Sequence, residues 1–355
     1  MQRYLFCCIL SLGLFLADAQ SQSAQCQSAQ CQSAQCQDKQ LGRVMQADQA
    51  NQADQANQAD QADQLGPGNY VSFWLDAYRG ELLEFDDMIK DLSQSDVIYL
   101  GELHTLERHH RLQRMIIKAL NERGFTVILG LEQLEAFQQS LADQYNEGRV
   151  NFDELAKNLD WKSRWSNYED YRGPIEEAVL NGGRVIGLNA KAELVKKLAR
   201  GGLESLSKDE KRSLPKFCSL ERDWHERKFR LKVQVHARMD PSMVDSIHQA
   251  QTLRDEMMAA VAAKALRKKG EKEILLILCG SGHCNHGIGI PERLRKRVPG
   301  HRDRIVHFTE SGFLELSKHQ KKHAKEVEIS HEELRFLQSP VADYIHCHEP
   351  KRSNQ

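Results

Sequence analysis

Twice in this chain an apolar run ends in glycine and presents a histidine three residues later. The first is Val97-Ile98-Tyr99-Leu100-Gly101-Glu102-Leu103-His104, and the second is Ile274-Leu275-Leu276-Ile277-Leu278-Cys279-Gly280-Ser281-Gly282-His283. Short continuous apolar runs suit strands buried on both faces, as in parallel sheets covered by helices. Open sheets of that kind place their sites at the C-terminal edge of the strands. The two runs therefore constrain both the fold class and the place where chemistry belongs.

The intervening chain fits that class. Val71, Phe73 and Leu75 alternate, Arg79-Gly80 offers a turn, and Leu82 to Phe85 follows, so a β-hairpin is expected at the domain entrance. Asp86 can cap a short helix through Leu92. Leu112, Met115, Ile116, Ala119 and Leu120 share one face of a helix over Thr105–Arg123, which Gly124 ends. Thr126 to Glu132 reads as a second buried strand, so strand, helix and strand form a βαβ unit. A helix is expected from Gln133 to Glu147, an aromatic stretch holds Trp161, Trp165, Tyr168 and Tyr171, and a third strand ends at Asn189. Residues 190–270 carry helix-forming sequence without a convincing strand, which predicts a helical cap, and the helix from Pro241 has an apolar face. Pro291 opens a basic helix, and Arg304–Phe308 is a last strand. The expected architecture is α/β, a mostly parallel central sheet flanked by helices, with the cap inserted before the last core strands.

Flanking segments read differently. Arg3, the apolar run Tyr4–Leu16 and Ala17-Asp18-Ala19 read as a secretory signal over 1–19, too short for a permanent membrane span. Residues 20–66 repeat Ser-Ala-Gln-Cys-Gln and then Gln-Ala-Asp, without the large apolar side chains a packed core needs, so a disordered tether is expected. Its Cys26, Cys31 and Cys36 suit intermolecular disulfides or a soft metal, or carry no site at all. The folded domain is expected over 67–317, and 318–355 reads as a charged tail. A formal net charge of −1 suggests neither nucleic acid nor an anionic membrane surface as a partner.

The strand ends supply the candidate site. Glu102 and His104 stand two apart, so an extended backbone aims both the same way. With Glu132 and His283 they make two imidazoles and two carboxylates at one edge, suited to acid–base catalysis. Glu102, His104 and His283 also suit a divalent metal with a bound water. Asn189 belongs to the same edge, and the polar helix face with Gln251 and Asp255 can line a pocket. His109-His110 reads as a solvated helix face. Cys279, Cys284 and His286 invite a zinc reading with His283, although a thiol inside an apolar strand is ordinary core.

These residues resemble a known family. Asp96 to His104 with His109-His110 and Gln113, Glu132, Tyr171 with Pro174, Asn189, Gln251 to Ala259, and Gly280 to His283 leading to Gly289-Ile290-Pro291 are similar, in order and spacing, to the ChaN-like haem-binding proteins. Those belong to the wider Tiki, TraB and erythromycin-esterase-like superfamily. The resemblance covers about 70–317. It implies an exported protein, periplasmic or at the cell surface, that binds haem in haem or iron uptake. It also implies a homodimer on haem binding and a peripheral outer-membrane or receptor partner. Tyrosine ligation between paired subunits is implied, with Tyr168 and Tyr171 as candidates by position and His225, His236 and His248 by chemistry. Hydrolase relatives imply an alternative, a metal-dependent ester or peptide hydrolase using Glu102, His104, Glu132 and His283.

Overall fold

The computed structural model describes residues 70–215, 241–310 and 339–350. The signal segment, the repeats, His225 and His236 lie outside the described residues. The strands are β1 (Tyr70–Asp76), β2 (Glu81–Leu83), β3 (Val97–Glu102), β4 (Thr126–Glu135), β5 (Arg184–Asn189), β6 (Glu273–Gly280), β7 (Asp303–Glu310) and β8 (Tyr344–Pro350). They form one sheet in the order β2-β1-β8-β7-β3-β6-β4-β5. From β8 to β5 every pairing is parallel, while the β1–β2 hairpin joins β8 antiparallel. The fold class read from the sequence is the fold observed.

Side chains alternate between two cores. Ile98 and Leu100, Val127, Leu129 and Leu131, and Ile274, Leu276 and Leu278 enter one cluster. There they meet α1 (Phe85–Leu92) through Met88, Ile89 and Leu92, and α2 (Glu107–Glu122) through Ile116, Ile117 and Leu120. Val97 and Tyr99, Ile128, and Leu275, Ile277 and Cys279 enter the other. That face is covered by α5 (Pro241–Leu266), through Met258, Ala259, Ala262, Ala263 and Leu266, and by α6 (Ile290–Arg297) through Ile290 and Leu294. A period of two with both faces apolar is why the runs look continuous in sequence.

The expected cap is only partly separate. α4 (Ala192–Gly201) packs Leu198 against Ala250 and Leu253 of α5, while the C-terminal half of α5 belongs to the sheet's own helical layer. One helix therefore serves both as sheet cover and as a roof over the C-terminal edge.

The outer edge of β5 is closed by amide side chains of α3 (Gln139–Asn146). Asn146 Oδ1 accepts from Val185 N at 2.8 Å and its Nδ2 donates to Val185 O at 2.9 Å, while Gln139 Oε1 accepts from Gly187 N at 2.9 Å. These groups imitate a neighbouring strand and remove a free edge. Asn146→Ala is expected to cost about 1–3 kcal/mol, the penalty of stranding partly buried backbone groups. A lower urea midpoint at unchanged slope would show it; an unchanged midpoint would mean that water replaces the amide.

Three local expectations are corrected. β4 runs on through Gln133 to Glu135 instead of giving way to helix at Gln133, with a register irregularity against β5 between Leu131 and Glu135. His109 and His110 are buried, at 1% and 2% exposure, not solvated. Residues 344–350, read as tail, are β8, in the interior of the sheet. His346 is buried there against Trp74, with ring centroids 4.7 Å apart, so a residue counted as polar occupies a core position.

Candidate functional site

Each glycine of the paired motifs makes room for a functional or structural atom of a neighbouring element. A Cβ on Gly280 would lie 2.8 Å from His104 Nε2, and one on Gly101 would lie 2.9 Å from Cys284 Sγ. β3 and β6 are neighbours in parallel register, Glu102 beside Gly280, so both motifs do end at one edge.

Glu102 is the centre of the first half of the site, at 1% exposure. Its Oε1 accepts from the Tyr171 hydroxyl at 2.6 Å, His104 Nδ1 at 2.8 Å and Gln133 Nε2 at 3.0 Å. Its Oε2 accepts from Gln113 Nε2 and lies 3.4 Å from His110 Nδ1. Burial alone would raise the carboxyl pKa, but the charge of His110, with His104 and the Tyr171 hydroxyl, holds it down at about 2. α2 sets this up locally: His110 and Gln113 stand one helical turn apart and meet at 3.0 Å, and His110 Nε2 donates to the His104 carbonyl at 2.8 Å. With Nδ1 committed to Glu102, His104 turns Nε2 toward Glu132 Oε1, 3.8 Å away.

Glu132 is the centre of the second half, also 1% exposed. Its Oε1 pairs with Arg254 and lies 3.2 Å from His283 Nε2, while Oε2 accepts the backbone N–H of Gly280 at 2.7 Å. Asp255 accepts from His283 Nδ1, and Gln251 Nε2 lies 2.9 Å from the same nitrogen. Burial disfavours the Glu132 anion, but the charges of His283, Arg254 and His104 push its pKa well below the carboxylate range. Burial likewise works against both imidazolium ions. Glu132 and then Glu102 nevertheless raise the pKa of His104, and Glu132 and Asp255 raise that of His283. The result is two histidine–carboxylate pairs, Glu102–His104 and Asp255–His283, facing each other across Glu132.

The structure thus brings Glu102, His104, Glu132, His283, Gln251 and Asp255 into one array. Asn189 supports it: its Nδ2 donates to the Glu132 carbonyl at 2.9 Å and its Oδ1 accepts from Arg254 Nε at 3.3 Å. Tyr171 is fully buried and its hydroxyl is spent on Glu102, while Tyr168 is half-buried and stacks on Phe152. Glu102, His104 and His283 do not converge as a metal set, because His283 sits on Glu132. Among the described residues no group of three or more His, Cys, Asp or Glu could hold a metal ion.

Sequence reading assigned no role to Gln133, Arg254, Trp161 or Trp165. Gln133 was hidden by the helix expected to start there. Trp161 Nε1 donates to the Gln133 carbonyl at 3.0 Å, and Trp165 packs edge-on to His104 at 5.0 Å, so the aromatic stretch is the wall of the site. Arg254 carried one signal, its position one residue before Asp255 on a polar helix face.

Fold and array together define an α/β protein with a buried histidine–carboxylate site at the C-terminal edge of its sheet. The chain belongs to the family described as haem-binding uptake, Tiki superfamily, ChaN, whose model matches residues 88–294, more than half of the chain. Among solved structures it is similar to ChaN of Campylobacter jejuni with cofacially bound haem, at 21% identity and a TM-score of 0.56, over 79% of this chain and 98% of that one. A mutant erythromycin esterase in its open conformation is 15% identical, with a TM-score of 0.40, over 79% of this chain and 97% of that one. No curated protein matches the sequence. Among the described residues no helix is long and apolar enough to cross a membrane.

Proposed function

We propose that this is an exported haem-binding protein serving haem or iron uptake, loaded as a homodimer and handing its cargo to a surface or receptor partner. Membership of the ChaN family over residues 88–294 is the observation that carries this reading. Haem iron needs an accessible phenolate, imidazole or thiolate. Tyr171 does not fit that role, being fully buried and bonded to Glu102. Tyr168 fits better, half-buried beside Phe152 and the half-buried Trp165, although its neighbour Glu169 raises its pKa. Haem therefore belongs outside the buried array. Titration of the purified protein with hemin is expected to give a saturable shift of the Soret band, weakened at least about tenfold in Tyr168→Phe, a loss of about 1.4 kcal/mol. Non-saturating, featureless absorbance overturns haem binding; an unaltered Tyr168→Phe titration overturns this ligand.

A second reading has an observation of its own, the convergence of His104 and His283 on Glu132. Above its raised pKa, His104 keeps its Nδ1 proton on Glu102 and offers a bare Nε2 as a base to water, while a protonated His283 can donate to a leaving group. Arg254 keeps Glu132 ionised between them. This suits hydrolysis of an ester or peptide bond. In a screen of chromogenic esters, His104→Ala is expected to lower turnover about 10²–10⁴-fold. Wild-type turnover no faster than buffer would sink the idea.

A further inference from the structure

Two fully buried thiols have no part in either reading, yet they bracket the loop that carries His283. Cys279 is the penultimate residue of β6, Cys284 follows a turn of 3₁₀ helix over Ser281–His283, and both are 0% exposed. Cys279 pairs in register with Gly101 of β3, so the two residues point to the same face about 5 Å apart. Cys284 Sγ rests on that same glycine, 2.9 Å from where a Cβ would stand. The bare face of Gly101 is therefore the space into which Cys284 folds back, its Sγ donating to the Ser281 carbonyl at 3.7 Å, and both thiols lie in one buried cluster. A turn closes the loop, with Cys284 N donating to the Ser281 carbonyl at 3.2 Å. Cys347 lies on β8, two strands from β3, and is not part of this contact.

We infer that Cys279 and Cys284 are a disulfide-forming pair whose oxidation pins the Gly280–His283 loop and so sets the rigidity of His283 against Glu132. The bond forms by thiol–disulfide exchange with a small-molecule disulfide or an oxidised dithiol protein. One cysteine thiolate attacks a sulfur of the oxidant and releases a thiol. The second then displaces the other thiol from the mixed disulfide. The two cysteines lose two protons and two electrons, and the oxidant is reduced to two thiols. The neighbouring Cys284 thiol and then burial raise the Cys279 pKa, and the pair is fully buried, so the folded core resists exchange. The bond therefore forms while the chain folds, in an oxidising compartment, and is shielded afterwards. In the cell the bond rests on the export proposed above, whereas its formation in vitro does not, and its consequence rests on the array being the working site.

The test compares full-length protein refolded in oxidised and reduced glutathione with the same protein refolded in excess dithiothreitol. Both cysteines fall in one tryptic peptide, Glu273–Arg293, so the bond reads as a loss of two hydrogens and of both alkylation sites. That loss is expected in the glutathione sample only. Amide hydrogen exchange in residues 281–284 is expected to slow at least about tenfold in the oxidised protein. A glutathione-refolded peptide with both cysteines alkylated, or linked to other cysteines, overturns the bond. A bonded peptide whose loop exchanges as fast as in the reduced protein overturns its consequence for His283. The comparison uses the natural sequence in both arms, so it does not depend on whether Cys284→Ser folds.

Discussion

Glu102→Ala is expected to lower the midpoint of thermal unfolding by about 10 °C. The substitution removes an acceptor that five side chains share, leaving the Tyr171 hydroxyl, two amides and two imidazoles facing a buried gap. Breaking a buried charged network by deleting one partner costs about 3–5 kcal/mol, and each kcal/mol moves the midpoint of a domain this size by about 2–4 °C. Glu102→Gln keeps the shape but loses the charge, and should fall between the two. A shift below about 2 °C for the alanine variant would mean that water fills the gap and that the network contributes little. Because α2, β4 and the aromatic wall all meet at this carboxylate, the loss should be global and cooperative instead of a local fraying.

The same network makes stability depend on pH in two opposite directions. Glu102 has a folded pKa of about 2, below the value of about 4.3 in an unfolded chain. Its contribution is therefore fully present above about pH 4.3 and is lost as the pH falls toward 2. At 1.36 kcal/mol per unit, the contribution is about 3 kcal/mol. His104 and His283 shift the other way, their folded pKa values raised by the carboxylates they face. Their contribution is complete below the unfolded value of about 6.5 and is lost as the pH rises through the raised folded values. Urea unfolding across a pH series should show a maximum between about pH 4.5 and 6.5, declining on both sides. In Glu102→Gln the acid limb should shrink. A flat profile from pH 6 to 9 would refute the histidine part, since neither imidazole would then be losing a favourable proton.

Much of this molecule was legible in its sequence, and the reasons are local. The runs 97–101, 127–131 and 274–280 are apolar or glycine at every position because each strand is covered on both faces, so the parallel sheet announced itself. The amphipathic face of α2 followed from three- and four-residue spacing, except that Met115, expected on it, is 49% exposed, and the Gly-x-x-His pair located the edge that carries the array. What failed was decided by neighbours distant in the chain. Gln133 read as a helix start because nothing nearby says that β4 continues; its place is fixed by Trp161 and by Glu102 on another strand. His109 and His110 read as surface, and His346 as part of a tail, because an imidazole counts as polar until a partner is supplied. His109 accepts the Leu103 N–H at 3.0 Å, His110 faces Glu102, and His346 packs on Trp74.

The sequence alone determined the class of sheet and that Glu102, His104, Glu132 and His283 gather at one edge of it, since strand periodicity and chain direction suffice for those. Tertiary structure alone decided how they are paired. It joined His104 to Glu102 and His283 to Asp255, set both on Glu132, and committed Tyr171 to a carboxylate instead of a ligand. The physical reason is that a buried charge must find its counter-charge and donors wherever the fold brings them, and here Glu132 meets His283, 151 residues away.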